Sequence, residues 1–359
     1  MNHFFQLIQF SISQKELLSF SLTEKEWEEL FAVAQKQALT GILLEGIMKL
    51  PEQQKPPTDL FLSWYTIADK IKQYNQLLND QTADVSDRFK QDNFRSVILK
   101  GQGNALLYPN PLLRQPGDID IWLEGNRASI IHYICQQAPV SGIVYHHADF
   151  PVLGNTEVEV HFTPTWMNSY FTNLKLQRFF KQKKGTQFCN EKELPNGRKI
   201  NVPTPEVNRI FLLIHIYRHL FDEGIGLRQL LDYYYLLKQG LTEEEKSQTI
   251  RLLKQLKLER FAAAVMYVEQ EVFGLEDAFL LTKPDAKAGR FLLNEIMEAG
   301  NFGQYDMRIV KPEDENRWTR LIRKTKRNFR FIFYYPDEVL WSPIFKAWQF
   351  CWRKRHNYL

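Results

Sequence analysis

Two aspartates, Asp118 and Asp120, stand two residues apart in the stretch Gly117-Asp-Ile-Asp-Ile-Trp122. Such alternation of polar and apolar residues marks a strand, and on a strand residues two apart share a face. Both carboxylates therefore point one way, while Ile119 and Ile121 point into apolar surroundings. Like charges held side by side repel, so the pair calls for a cation between them. Magnesium fits this demand: it takes carboxylate oxygens, typically one or two from the protein, and completes its shell with substrate phosphates. Phosphoryl chemistry with two ions needs one more acid. Glu157-Val-Glu-Val-His161 alternates in the same way, so Glu157, Glu159 and His161 share a face, and either glutamate can complete the set. A D-x-D strand alone is as readily a solvated edge. The glycine turn upstream and the acidic strand downstream tip the reading towards a metal site.

The elements that would hold these residues are legible around them. Ser96 to Leu99 is a short apolar run ended by Lys100-Gly101-Gln102-Gly103, a buried strand closing in a glycine turn. Asn104 to Tyr108 reads as a short helix stopped by Pro109-Asn-Pro111. Arg127 to Gln137 reads as a helix, and Gly142 to His146 and Glu157 to Phe162 as strands. This compact mixed segment, about Asn93 to Pro164, lies between helical stretches. Before it, Thr23-x-x-Glu26 is a capping box, and Thr58 to about Asp92 carries helical periodicity. After it, Thr204-Pro205-Glu206 starts a helix, Leu227 to Leu237 continues the pattern, and Thr242-x-x-Glu245 opens a helix expected to reach about Val272. Lys283 to Gly300 and Trp318 to Phe333 read as further helices. The expected fold class is α+β: a small mixed β-sheet core with helices, flanked by N- and C-terminal helical segments. The expected divisions are 1–92 (helical), 93–202 (α/β core) and 203–359 (helical, with a basic arm).

Composition narrows the function. The chain has 359 residues and a net charge of only +4. The basic character is local: 13 Lys/Arg stand against five Asp/Glu from Arg308 to Arg355. Cys135, Cys189 and Cys351 are far apart, which argues against a zinc site or a disulfide framework and for a reducing compartment. The first residues lack the basic and apolar regions of a signal peptide, and no apolar stretch reaches the roughly 18 residues of a membrane span. The expected location is cytoplasmic.

The glycine turn, the short helix and the D-x-D strand together resemble the signature of the DNA polymerase beta-like nucleotidyltransferases. More narrowly, the chain resembles a bacterial family of uncharacterised nucleotidyltransferases, through Leu99-Lys100-Gly101, Tyr108/Pro111/Arg114, Asp118/Asp120 and Glu159/His161. His161-Phe-Thr-Pro-Thr-Trp166 is similar to the Bacteroidetes variant of that family. His215, His219, Arg228 and Asp232 fall where the family carries a helical H…H…R…D pattern. The resemblance implies transfer of a nucleotide from an NTP to an acceptor, by in-line attack with loss of pyrophosphate. It implies that Asp118, Asp120 and Glu159 bind magnesium (manganese as the alternative) and carry catalysis. It further implies that Lys100, Gly101, Gln102, Gly103 and Arg114 bind the nucleotide. The acceptor stays open between a small molecule, a protein and RNA. Two positions depart from the superfamily: the turn is Gly101-Gln102-Gly103 rather than Gly-Gly or Gly-Ser, and the third acid is Glu159 rather than Asp. They keep a second reading in view, a catalytically weak or inactive module of this fold that recruits a protein or RNA partner.

Other residues have plainer readings. His215 and His219, i and i+4 with Arg218 between them, read as a packed pair rather than metal ligands. Arg228 and Asp232 read as a helix-surface ion pair. His146-His147 reads as part of a loop at a strand end. The arm from Arg317 to Arg330 interleaves basic and aromatic residues; RNA contact there is the less favoured reading, because a helix with its aromatics turned inward explains the spacing.

Overall fold

The structure is a computed structural model that describes residues 2–13, 21–140, 142–154, 156–308 and 316–358. The chain begins with helices α1 (Asn2–Ile12), α2 (Glu24–Lys36), α3 (Thr40–Lys49) and α4 (Thr58–Gln91). Thr23 closes the expected capping box: the Glu26 amide donates to the Thr23 hydroxyl and the Thr23 amide to the Glu26 carboxylate. The core segment follows with β1 (Ser96–Ile98), α5 (Gln102–Ala105), β2 (Ile119–Leu123), α6 (Arg127–Gln137), β3 (His147–Asp149) and β4 (Val158–His161). Then come α7 (Tyr170–Gln187), a hairpin of β5 (Glu191–Glu193) and β6 (Lys199–Asn201), and the helices α8 (Pro205–Asp222), α9 (Leu227–Leu237), α10 (Glu243–Gln255), α11 (Glu259–Phe273), α12 (Ala286–Ala299), α13 (Arg317–Phe329) and α14 (Pro336–Arg355).

The larger sheet has the order β1-β2-β4-β3. β2 is antiparallel to β1 and parallel to β4, and β3 is antiparallel to β4. This is the expected α+β class, a small mixed sheet set among helices. One face of the sheet is apolar: Ile119, Ile121, Val158 and Val160 pack with Ile130 and Ile134 of α6 and with Leu78, Val85 and Phe89 of α4. The other face carries Asp120, Glu159 and His161 beside Val97 and Trp122, which pack into the helical core. The 34-residue α4 serves two cores. Its later half lies under the sheet, whereas Trp64 and Ala68 join a helical core built jointly by α1–α3 and by α8–α12. The helices that precede and follow the sheet in sequence thus share one interior.

Three expectations are corrected. The stretch from Gly142 to His146 is not a strand; the strand lies at His147–Asp149, and Gly142 takes a positive φ of 65°. The helix expected from Thr242 to Val272 is two helices, because Lys257 adopts φ +59° and turns the chain between α10 and α11. Arg228 and Asp232 are not a surface pair, since both are buried and Asp232 faces another partner. Among the described residues no helix is long and apolar enough to cross a membrane. The basic arm is partly committed to the fold. Arg327 is buried and donates to the carbonyls of Leu220 and Phe221, closing the last turn of α8, and Arg330 pairs with Glu295 and Asp306.

A strained group sits in the helical core. Glu269 on α11 is fully buried, and neither carboxylate oxygen has a hydrogen-bond partner. Burial alone holds its carboxyl well above the ordinary carboxylate range. A raised acid favours the fold fully below the unfolded value of 4.5, and that contribution is lost as pH rises from there through the folded value. Glu269→Gln is therefore expected to be more stable than the parent at pH 8, with the advantage shrinking towards pH 5. Thermal unfolding at both pH values checks this, and an advantage that does not depend on pH contradicts it.

Candidate active site

The polar face of the sheet is assembled by register. In the parallel pair β2/β4, Asp120 stands opposite Glu159 and Trp122 opposite His161. In the antiparallel pair β3/β4, Asp149 stands opposite Glu159 and His147 opposite His161. Three neighbouring strands thereby bring carboxylates and imidazoles onto one surface. Asp118 lies just before β2 with the same parity as Asp120. Glu157 has that parity too, but its side chain is exposed beyond the start of β4 and takes no part in the cluster.

Lys100 reaches this face from the end of β1. Its Nζ is 3.5 Å from Asp118 Oδ2 and 3.1 Å from Asp120 Oδ2. The turn that delivers it needs glycine at Gly101, where φ is +57° and a Cβ would come 3.2 Å from the Asp118 carbonyl oxygen. The Leu99 amide donates to the Asp120 carbonyl at 2.9 Å, locking the turn to β2. Gly103 is packed under Ile98 and Val202. Gln102, expected at the nucleotide, has its side chain buried against α4, with Nε2 donating to Asn79 Oδ1 at 2.6 Å. Only its backbone is left for the site.

The electrostatics follow from the crowding. Burial opposes the Lys100 charge, but Asp118, Asp120 and Glu159 together hold its pKa above the ordinary lysine value. Burial raises the Asp118 carboxyl most, but Lys100, a backbone hydrogen bond and Arg228 together outweigh it, and the net shift is downward. Asp120, 1% exposed, is pushed up by burial and by the neighbouring Asp118 charge. Glu159 is depressed despite burial, because His147 Nδ1 at 3.0 Å and His161 Nε2 at 3.4 Å bear on Oε2. His161 also lies 3.0 Å from Asp120 Oδ1; burial disfavours its charge, but the two carboxylates raise its pKa to about 9. One oxygen or nitrogen from each of Asp120, Glu159 and His161 lies within 4.8 Å of the others.

Arg114 is placed differently from the other expected phosphate ligands. Its Nε and Nη2 each donate to Asp232 at 2.7 Å, and Tyr108 Oη donates to the same carboxylate at 2.6 Å. The guanidinium edges a narrow crevice of about 20 Å³, room for a single water. Lys100, Gly101, Asp118, His215 and Arg228 line the same crevice. Arg228 donates to the carbonyls of Gln115 and Pro116 and so braces the loop before Asp118. His215 packs edge-on against His219 at 4.3 Å, the expected pair, and burial pushes its pKa well down, so it faces the crevice as a neutral ring.

The structure thus gathers Asp118, Asp120, Glu159, Lys100 and Gly101 at one place, holds Arg114 at its margin, and turns the Gln102 side chain away. Sequence reasoning put His161 on the right face through its alternation with Glu159. It missed His147, because only the β3/β4 register brings that residue in, and it gave Arg228 the wrong partner.

The sequence matches the profile of a family described as uncharacterised nucleotidyltransferase over residues 23–274. The chain belongs to that family. The matched region runs from the start of α2 to the end of α11 and contains every residue of the cluster, leaving α12–α14 outside it. No curated protein matches the chain. Among solved structures it is similar to the crystal structure of an antigenic nucleotidyltransferase-like protein from Paracoccidioides brasiliensis, at 15% identity and a TM-score of 0.34, covering 59% of this chain and 96% of that one.

Proposed function

We propose that this family member transfers a nucleoside monophosphate from an NTP to an acceptor hydroxyl, releasing pyrophosphate. The observation that carries the reading is the convergence of Asp118 and Asp120 on a single ammonium, with Glu159 opposite Asp120 on the next strand. Asp120 Oδ2 is buried without a well-directed hydrogen bond and meets Lys100 as a charge alone. A carboxylate set held in this way suits a divalent cation. Asp118, Asp120 and Glu159 would hold magnesium or manganese, which when bound neutralises phosphate charge and acidifies the attacking hydroxyl.

The chain's own groups have separate tasks in this reading. The acceptor oxygen bonds to the α-phosphorus as the bond to the pyrophosphate oxygen breaks, and the hydroxyl proton passes to a carboxylate or water. Lys100, displaced from the aspartates, is within reach of phosphate oxygens and offsets the charge they gain. Gly101 lets the backbone of the turn approach the phosphates without a side chain between. Arg228 and Arg114 fix the loop that carries Asp118. The crevice of about 20 Å³ must widen for a nucleotide. Buried Arg327 and paired Arg330 leave less of the basic arm for RNA, so a small molecule or protein acceptor is preferred.

The test is incubation with each NTP labelled at the α-phosphate, with magnesium or manganese, scoring self-labelling and labelling of a metabolite extract. Metal-dependent incorporation that is lost in Asp118→Asn is expected. No incorporation, together with no metal-dependent NTP binding, replaces this reading with the partner-recruiting module.

A further inference from the structure

The same sheet face carries more imidazole than magnesium chemistry needs. His147 and His161 stand opposite each other on β3 and β4. His146 precedes β3, held where the Phe162 amide donates to its carbonyl at 2.7 Å, and its ring lies on Trp166 with centroids 3.8 Å apart. One ring nitrogen from each of His146, His147 and His161 falls within 4.8 Å of the other two. Glu159 Oε2 adjoins two of them, 3.0 Å from His147 Nδ1 and 3.4 Å from His161 Nε2. Donors on one tetrahedral ion bound at about 2.0–2.1 Å stand roughly 3.4 Å apart, so the three nitrogens, within 4.8 Å of one another, have to draw in to share one ion. The Nδ1 atoms of His146 and His161 are sealed from solvent and have no hydrogen-bond partner. Orphaned nitrogens of this kind cost stability unless something accepts their lone pairs or protons.

We propose that His146, His147 and His161 form a binding site for a first-row transition-metal dication, next to a hard-cation site at Asp118 and Asp120. Imidazole nitrogen suits zinc, copper, iron or nickel, whereas magnesium and manganese take oxygen ligands. The two sites adjoin through His161, which groups with Asp120 and Glu159 on one side and with His146 and His147 on the other. The protein then holds two unlike ions, chosen by two unlike donor sets. The site borders the proposed transfer centre through His161, but metal binding by the histidines does not require that transfer takes place.

The test uses the full chain stripped of metal by chelation and titrated with Co²⁺ in excess Mg²⁺, read by visible absorption and by equilibrium dialysis with metal analysis. One tightly held Co²⁺ with the absorption of a nitrogen-ligated ion is expected. His146→Ala and His147→Ala should each weaken it by at least about 100-fold, beyond the 10–100-fold typical of an outer-shell partner. His147→Gln, which preserves bulk, should weaken it similarly, and circular dichroism establishes that each variant is folded. Asp118→Asn should retain Co²⁺. Co²⁺ that is displaced stoichiometrically by Mg²⁺, or that survives His147→Gln but is lost in Asp118→Asn, overturns the assignment. Failure of labelled-NTP transfer with Co²⁺ binding intact would count against the transfer reading alone.

Discussion

Asp120→Asn is expected to give a folded protein whose nucleotidyl transfer falls by at least about 10³-fold, since a neutral amide cannot balance a divalent ion beside a triphosphate. The two halves of this outcome have separate causes. Asp120 is 1% exposed and lies beside Asp118, and both burial and that neighbouring charge push its carboxyl up. Removing the charge relieves a repulsion that the fold otherwise sustains. The partners left behind are not stranded: Lys100 keeps Asp118 at 3.5 Å, and His161 keeps Glu159 at 3.4 Å. The change in stability should therefore stay within about 1 kcal/mol, the range of substitutions that orphan no buried group. Steady-state transfer and thermal unfolding, measured on one preparation, separate the effects. Equal turnover in parent and variant would remove Asp120 from the mechanism.

What the sequence made legible was local. The two-residue period of Asp118-Ile-Asp-Ile put both aspartates on one face without knowledge of any partner strand, and α6 and α9 were read to their ends because their periodicity and flanking residues lie within a dozen positions. The break at Lys257 was invisible, since a lysine gives no signal that its φ will be positive. The position of β3 depends on pairing with β4, and a strand of three residues has too short a pattern to announce its register. His147 enters the cluster only through that pairing. Arg228 and Asp232 sit at a spacing that suits a helix-surface pair, yet tertiary packing buried both and offered Asp232 a better partner from 118 positions away. Contacts of that separation leave no trace in periodicity.

That distant pair should be the costliest to break. Arg114 and Asp232 make two parallel hydrogen bonds at 2.7 Å, both side chains are nearly sealed, and Tyr108 adds a third bond to the same carboxylate. The Asn75 amide holds the Arg114 and Leu112 carbonyls at 2.8 Å from the other side. The loop from Tyr108 to Gly117, which leads into Asp118, is thus clamped between α4 and α9. Removing one member of a buried pair leaves an uncompensated charge, which costs about 3–5 kcal/mol. Asp232→Ala and Arg114→Ala are each expected to lose that much in urea unfolding, and Tyr108→Phe about 1 kcal/mol, the usual worth of one hydrogen bond. The double variant Arg114→Ala/Asp232→Ala should lose clearly less than the two singles together, because the second change removes the charge that the first exposed. Additive losses, or a loss below about 1 kcal/mol for Asp232→Ala, would mean that the pair is not the clamp. Transfer by Asp232→Ala at a temperature where it is folded then tells whether Arg114 also serves the nucleotide. An arginine needed only for the clamp leaves Asp118 misplaced and lowers the maximal rate. An arginine that also meets phosphate is released from Asp232 by the same change, and the Michaelis constant for NTP shifts with the rate.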